Sequence, residues 1–393
     1  MVRRSVQVFC VLLVALYSLS TSEDPPNPYE SGCLAGIIDV YNESAALHTF
    51  TIDLNKTDPS TRWVPVAKFY KTEILDAIDA IKNLTDPLMN ATEAALLEEL
   101  LIILGGRLPE PYQSEIASIH EATNASVADL VLFNLLHDLA GACTSAVVAD
   151  QEGQLYHAHN VDMGRMLGWN IETKLWKMTE ILKKMVVQTV WMRDGQQIYQ
   201  SVGIAGHVGQ FALMKPGEFA LSLNGRSSFP FGLIQWAMGR TGDALFPSFT
   251  MRDIMSNDQV TDYQSAYNYI NNVTLLSPAF FILSGQKLYQ GAIFTKAMTM
   301  TEAIQVLGNA SWYLAQGTTV PGQGGPLTGD RARATVRCLE QLGKDKVNAA
   351  GMMNVMSSKI TTTKSTVFST IMNPMIGHKM QTFIQSCSEP CWF

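Results

Sequence analysis

The chain has 393 residues, of which 47% are hydrophobic, so it can bury a large core and form either two domains or one large one. Its net charge of −7 comes without a basic cluster, which argues against nucleic acid as a partner. No glycine-rich phosphate loop follows a predicted strand, and neither HExxH nor CxxC spacing is present, so no nucleotide, metal or other cofactor is predicted.

Residues 1–22 have the order of a secretory signal peptide. Arg3 and Arg4 precede an apolar run from Val6 to Leu19, which small polar residues follow. This run is shorter than the roughly 18 apolar residues that a membrane span requires. We therefore predict cleavage near Ser20–Ser22 and a mature protein that is lysosomal, secreted or both.

Asn-x-Ser/Thr sequons support this compartment, because such sites accept glycans in secreted proteins. Most of them precede Cys143, which predicts an exposed, glycosylated N-terminal part. The acceptor positions are Asn42, Asn55, Asn83, Asn90, Asn124, Asn272 and Asn309.

The sequence before Cys143 is predicted to be helical. Apolar residues recur at three- and four-residue spacing in 69–84, which indicates an amphipathic helix. A second helix is predicted in 90–104, where Asn90 has the residue type of an N-cap. A third helix is predicted in 124–141.

After Cys143 the apolar pattern changes to the alternation of strands, broken by Asp-Gln-Glu-Gly, Arg-Asp-Gly and Lys-Pro-Gly turns. Helices are predicted near 232–239, 262–271 and 330–342. The fold class is therefore α+β, with Cys143 at the junction of the two parts. The predicted strands lie within 144–150, 153–160, 188–202, 209–224, 279–285 and 365–372.

The cysteine count also singles out Cys143. One of the six cysteines lies in the predicted signal peptide, and an odd number cannot all pair in an oxidising compartment. Cys387 and Cys391 can close a small loop, and Cys33 and Cys338 would then join the two ends of the mature chain. Cys143 would stay a thiol, either as a buried structural residue or as a reactive one.

The stretch Cys143-Thr144-Ser145, followed by Asn160-x-Asp162-x-Gly164, resembles the acid ceramidase family, of which N-acylethanolamine acid amidase is a close relative. The resemblance covers most of the mature chain at matching spacing. Further matching positions are the FTIDLN stretch, Trp63, Leu167–Asn170, Gly206–Gly217, Leu221–Asn224, Ser277–Leu283, Asp330-Arg331, Cys338, Cys387 and Cys391.

The resemblance implies an N-terminal-nucleophile hydrolase, with a four-layer αββα fold and a preceding all-helical segment. Such proteins cut their own backbone before the cysteine, here between Ala142 and Cys143. Residues 23–142 would become a helical α-chain, and residues 143–393 a β-chain with the αββα catalytic domain. The Cys33–Cys338 disulfide would then tether the two chains of an α/β heterodimer.

In this scheme Cys143 is the nucleophile, and its own α-amino group, freed by the cut, accepts the proton of the thiol. Asp162 is expected to position that amine. Water then hydrolyses the thioester that forms on the sulfur. The other catalytic positions implied by the resemblance are His159, Asn224, Thr318, Arg331 and Arg333.

Four positions depart from the family pattern around the nucleophile. His159 and Ala332 stand where the family has arginine, with Arg333 one place late. Gly225 replaces a glutamate, and Thr318 replaces an asparagine that stabilises the oxyanion. Losing one oxyanion donor lowers kcat roughly 100- to 1,000-fold, so a catalytically impaired relative that binds lipid amides is an alternative.

The implied substrate is a lipid amide. Cleavage of the N-acyl bond of ceramide to a sphingoid base and a fatty acid is the leading hypothesis, and N-acylethanolamine is the alternative substrate. The apolar segment Ser227–Gly239 is either a core helix or a lip that guides an acyl chain. A lipid-presenting activator protein is a further candidate partner. His157 and His207 are interpreted as structural.

Overall fold

The computed structural model describes residues 33, 47–140, 142–163, 168–226, 231–317, 331–358, 361–375 and 380–387. The predicted signal peptide, Asn42, Thr318 and Cys391 lie outside these residues. Within the described ranges, no helix is both long enough and apolar enough to cross a membrane.

The described part before Cys143 is mostly helical, as predicted, but it also contains a strand, β1 (Thr49–Asp53). A short 3-10 helix follows the third α-helix at Asp86–Leu88. The α-helices are α1 (Pro59–Arg62), α2 (Val64–Phe69), α3 (Lys71–Thr85), α4 (Ala91–Gly105), α5 (Tyr112–Thr123) and α6 (Val127–Ala140).

Local sequence explains where α4 begins and where α5 ends. The Asn90 side chain accepts from the backbone N–H of Thr92 and of Glu93, and the Glu93 carboxylate accepts from the Asn90 N–H in return. This capping box satisfies donors that a helix start leaves open. Helix α5 ends at Asn124, which adopts a left-handed conformation with φ of 65°.

The rest of the described chain contributes to two large, mainly antiparallel sheets and forms a small hairpin, six α-helices and a short 3-10 helix at Lys344–Lys346. The helices are α7 (Lys177–Lys184), α8 (Phe231–Ala237), α9 (Pro247–Ser256), α10 (Tyr263–Asn272), α11 (Arg331–Leu342) and α12 (Ala349–Met356). The strands are β2 (Ala142–Ala149), β3 (Leu155–Asp162), β4 (Trp169–Asn170), β5 (Leu175–Trp176), β6 (Val186–Arg193), β7 (Gln196–Ile204), β8 (Ala212–Lys215), β9 (Phe219–Gly225), β10 (Ala279–Ser284), β11 (Gly291–Lys296), β12 (Thr301–Val306), β13 (Tyr313–Gly317), β14 (Thr366–Met372) and β15 (Gln381–Ile384).

The larger sheet has eight strands in the order β1-β6-β7-β8-β9-β10-β11-β12, and the smaller has five in the order β13-β2-β3-β14-β15. Strand β1 runs parallel to β6, so the part of the chain before Cys143 supplies the edge of the larger sheet. The two parts therefore share one sheet and cannot be separate domains in this single chain.

The two sheets pack face to face between helical layers, which confirms the four-layer αββα fold. Val147 of the smaller sheet and Ile282 of the larger one belong to one buried apolar cluster in the space between them. On its outer face, the smaller sheet places Ala146 against Met352 of α12. On the outer face of the larger sheet, Tyr267 of α10 contacts the ring of Phe294.

Strand alternation then fixes which way the residues of β2 point. Successive side chains of a strand lie on opposite faces. Since Val147 faces the other sheet, Cys143 and Ser145 do so as well, whereas Ala142 and Ala146 lie on the face covered by α11 and α12.

A buried ionic cluster joins the parts of the chain before and after Cys143. The Glu115 carboxylate accepts from Arg62 Nη1 at 2.6 Å, from Trp63 Nε1 at 2.9 Å and from Arg252 Nη2 at 2.9 Å. The Arg252 guanidinium also lies 4.5 Å from the centre of the Trp191 ring. Burial alone would raise the pKa of Glu115, but the neighbouring Arg252 and Arg62 hold it below its usual value.

The described sequon asparagines lie at the surface, where glycans have room. Their use stays a prediction. These exposed positions are Asn55, Asn83, Asn90, Asn124, Asn272 and Asn309.

Candidate active site

Cys143 lies at the second position of β2, opposite Val161 of β3, and its side chain is fully buried. Among the cysteines that the structure describes, it is the one outside a disulfide. Burial and, to a smaller extent, the nearby charge of Asp162 raise the pKa of the thiol to about 12. Backbone hydrogen bonds from Asp162 and Gly225 and the charge of Arg331 act in the opposite direction.

Asp162 lies beside the peptide bond that the sequence predicts to be cut. It pairs directly with Ala142, and directly paired residues of antiparallel strands have Cα atoms about 4.5–5.5 Å apart. Its buried carboxylate forms an ion pair with Arg331 and accepts a hydrogen bond from the Thr366 hydroxyl. These two contacts fix the carboxylate next to the Ala142–Cys143 bond.

The start of α11 separates the two candidate arginines. Arg331, its first residue, is buried against Asp162. Arg333 lies on the exposed side of the same helix. Gly317 packs closely against the start of α11, since a Cβ at Gly317 would lie 3.1 Å from the Arg331 Cβ. The lack of a side chain at Gly317 therefore lets Arg331 lie close to β13.

His159 and Asn224 meet at the hydroxyl of Ser145, between the two sheets. The His159 Nδ1 lies 2.9 Å from the Ser145 Oγ, and that hydroxyl donates to the Asn224 Oδ1 at 2.7 Å. The other end of the Asn224 amide, Nδ2, donates to the backbone carbonyl of Gln316 at 2.9 Å. The structure thus places His159 in a buried hydrogen-bond network.

Some residues of the site were missed by the sequence interpretation. Ser145 and Gln316 hold Asn224, and Thr366 holds Asp162. Ser145 and Cys143 share a strand face, so the alternation of β2 was a signal that could have found Ser145. Gln316 lies 92 residues beyond Asn224, and Thr366 lies 204 residues beyond Asp162, so no local pattern shows these contacts.

The segment proposed as an acyl-chain lip forms α8, beginning at Phe231. Trp236 is buried and packs edge-on against Phe246, at 5.0 Å between ring centres, while Met238 just beyond the helix is exposed. The described part of this segment is therefore mainly a core helix. Residues 227–230 lie outside the described ranges.

Cys33 and Cys338 form a disulfide that joins residues 305 positions apart. Cys387 is also in a disulfide. We predict that the denatured, unreduced mature protein carries one thiol that reacts with iodoacetamide, at Cys143. Peptide mapping without reduction checks this, and a disulfide found at Cys143 would contradict its assignment as the nucleophile.

The chain is similar to curated proteins over almost its full length. It is 30% identical over 398 residues to a probable acid ceramidase of Caenorhabditis elegans, covering 99% of this chain and 98% of the relative. The chain belongs to the acid ceramidase family. The human acid ceramidase, at 27% identity and 98% coverage of both chains, is another member.

The chain is also similar to a solved structure of an amidase. The chain matches the Caenorhabditis elegans N-acylethanolamine-hydrolyzing acid amidase ortholog with a TM-score of 0.52 and 25% identity. The match covers 62% of this chain and all of the solved chain. No family model matches the sequence.

Proposed function

We propose that the protein hydrolyses the N-acyl bond of ceramide, after it has cut its own chain between Ala142 and Cys143. By its family membership it is a hydrolase that acts on amide bonds. One observation carries the finer proposal: the thiol outside the disulfides lies at the start of β2, beside the Asp162–Arg331 ion pair.

Self-cleavage needs only groups that are present in the single chain. The Cys143 sulfur attacks the carbonyl carbon of Ala142, the C–N bond breaks, and the acyl group moves from nitrogen to sulfur. The proton lost by the thiol ends on the freed amine. Water then hydrolyses the thioester, leaving the carboxyl group of Ala142 and restoring the thiol of Cys143. The Gly225 backbone N–H, which hydrogen-bonds to the sulfur, favours the thiolate in this step.

The second reaction uses the new amino group. The α-amine of Cys143 takes the thiol proton, and the thiolate attacks the carbonyl carbon of the lipid amide. The leaving amine departs with a proton, and water hydrolyses the acyl thioester to release the fatty acid. Each cycle therefore consumes one water and returns the thiol and the amine to their starting states.

Asp162 favours an ammonium–thiolate pair in the cut enzyme. An α-amine titrates near 7.7–8.0 on average, and a neighbouring carboxylate raises the pKa of an amine. At acidic pH the new amine is therefore charged. This positive charge lies beside the sulfur and lowers the pKa of Cys143 from its value in the uncut chain, so the cut itself activates the nucleophile.

The test compares two head groups on one acyl chain. We expect the purified, cut protein to release sphingosine from ceramide at acidic pH faster than ethanolamine from the N-acylethanolamine of equal acyl length. Faster ethanolamine release would instead assign the activity named for the solved amidase. Turnover of neither substrate by cut protein would favour an impaired relative, the alternative that the changes at Gly225 and Thr318 suggest.

We also propose a lysosomal or secreted location. The signal-like N-terminus, the exposed sequons and the Cys33–Cys338 disulfide support it. Activation at acidic pH fits such a compartment. A lipid-presenting activator protein is a proposed partner, since the long acyl chains of ceramide must leave a membrane to reach a buried thiol.

A further inference from the structure

A hydrogen-bonded network of buried polar side chains crosses the space between the two sheets. The His157 Nδ1 lies 3.0 Å from the Ser284 Oγ, and its Nε2 lies 2.7 Å from the Ser222 Oγ. The Ser222 Oγ lies 3.0 Å from the Ser145 Oγ, which donates to Asn224. All five side chains are fully buried. The mechanism above uses none of Ser145, Ser222, His157 and Ser284.

The number of protons on each side chain determines which atom donates and which accepts in each hydrogen bond of this network. The Asn224 Nδ2 donates to a backbone carbonyl, so its Oδ1 is the acceptor, and the single hydroxyl proton of Ser145 goes to it. Ser145 can then only accept from Ser222, whose own proton is used in doing so. On this count the His157 Nε2 donates to Ser222, and the backbone carbonyl of Ala220 is a further acceptor beside the ring.

The same count assigns the hydrogen bonds at the two ends of the network, at Ser284 and at His159. A neutral imidazole that donates from Nε2 accepts at Nδ1, so the Ser284 hydroxyl donates to His157. Burial lowers the pKa of His157 to about 3, which keeps the ring neutral at the acidic pH of the proposed reaction. At the other end, Ser145 also accepts from the His159 Nδ1, so its one donor and two acceptor sites are all used.

The network ends at Asn224, one residue before Gly225, whose backbone N–H contacts the Cys143 sulfur. Both polar atoms of the Asn224 amide are anchored, one by Ser145 and one by the Gln316 carbonyl. The next residue, Gly225, ends β9, and its backbone N–H bonds to the Cys143 sulfur. Fixing the Asn224 side chain at both ends restricts rotation of the Asn224–Gly225 peptide that carries this N–H.

We propose that Ser145, Ser222 and His157 form a positioning network that keeps the Gly225 N–H aimed at the Cys143 sulfur. The network acts on the sulfur through Asn224 and Gly225. Its role in catalysis rests on the proposed function, in which Cys143 is the nucleophile. The geometry of the network does not depend on the proposed function. The geometry and the catalytic role can therefore be tested separately.

The sequence offers a probe for this one N–H. Asn224-Gly225 is the only Asn-Gly dipeptide in the chain. Protein labelled with ¹³C-carbonyl asparagine and ¹⁵N-glycine therefore gives a single correlation peak between the two residues, which reports the Gly225 amide. With all proteins compared as uncut single chains, before incubation at acidic pH, a Cys143→Ala variant removes the sulfur and shows how far the peak moves when the hydrogen bond is lost.

We expect Ser145→Ala to move this peak toward its position in Cys143→Ala and to speed hydrogen exchange of the Gly225 amide by about tenfold, the effect of losing one hydrogen bond. Ser222→Ala should move the peak the same way by less, and it carries the test if Ser145→Ala does not fold. Ser118→Ala is the matched control: it is equally buried and also loses a serine hydrogen bond, so it should leave the peak in place.

In the active protein, Ser145→Ala should lower kcat about tenfold with little change in KM, because the network acts on the nucleophile through the Gly225 N–H. A folded Ser145→Ala whose Gly225 peak and exchange rate match the wild type would overturn the proposal. If wild-type protein hydrolyses no lipid amide, the proposed function fails, while the Gly225 peak still decides the network.

Discussion

Replacing Cys143 with alanine should leave the protein as one chain under reducing conditions and lower hydrolysis of lipid amides by roughly 10⁴- to 10⁶-fold. Both losses are expected because the same sulfur attacks the Ala142 carbonyl and the substrate carbonyl. Reducing gel electrophoresis and product release from ceramide measure the two effects. Cys143→Ser is the control of equal shape, since its hydroxyl keeps the packing of the buried site.

The serine variant is expected to cut slowly and to turn over little, because a hydroxyl is a far weaker nucleophile than a thiolate. Thermal unfolding within a few degrees of the wild type would show that both variants fold. An alanine variant that still splits at this position, or still releases sphingosine, would remove Cys143 from the mechanism.

Replacing Glu115 with glutamine should destabilise the protein by about 3–5 kcal/mol, because two buried guanidinium groups lose their counter-charge. After the cut, we expect the same substitution to weaken the association of the two chains more than it lowers the stability of the uncut protein. Glu115 and Arg62 belong to the part before Cys143, and Arg252 to the part after it. With the Cys33–Cys338 disulfide reduced, size-exclusion chromatography should show wild-type chains together and the variant chains apart.

Lys82→Ala is the matched control, because it removes a partly exposed ion pair with Asp129 that lies wholly before Cys143. Its expected cost is about 0.2–1 kcal/mol, and association should not change. Reduced chains of Glu115→Gln that stay together as tightly as the wild type would show that apolar packing alone holds the interface.

The ionic cluster also predicts how stability depends on pH. The pKa of Glu115 is lowered in the folded protein from a usual value of 4.5. The stabilisation from this group is therefore fully present above about pH 4.5 and is lost as the pH falls through the lower folded value. Such a cluster keeps the two parts together at the acidic pH that the proposed reaction requires.

Local patterns predicted most elements of the fold. Strands β2, β3 and β9 lie where the alternation placed them, and α4 begins at the predicted cap, Asn90. Strand β1 was missed because its parallel pairing with β6 joins segments more than 130 residues apart. Helix α9 was missed because its polar residues Ser248, Thr250 and Arg252 are buried together with its apolar ones, so polarity along the sequence does not mark which side faces the core.

The candidate site was predictable where one short motif carries it. The cysteine count singles out Cys143, and the roles expected of Cys143, Asp162 and Arg331 come from the family resemblance. Ser145 and Asn224 touch only because two sheets stack, and a period of two cannot show which strands face each other. Strand β3 is buried on both faces, so its pattern also could not show that His157 points into the network.

The most direct test of the central claim is N-terminal sequencing of the wild-type protein after incubation at acidic pH, combined with its intact mass. We predict two N-termini, one following the signal peptide and a second that begins Cys-Thr-Ser at residue 143. The second chain should have the mass of residues 143–393 with any glycans. A protein that stays uncut between Ala142 and Cys143 would contradict self-cleavage and, with it, the assignment of Cys143 as an N-terminal nucleophile.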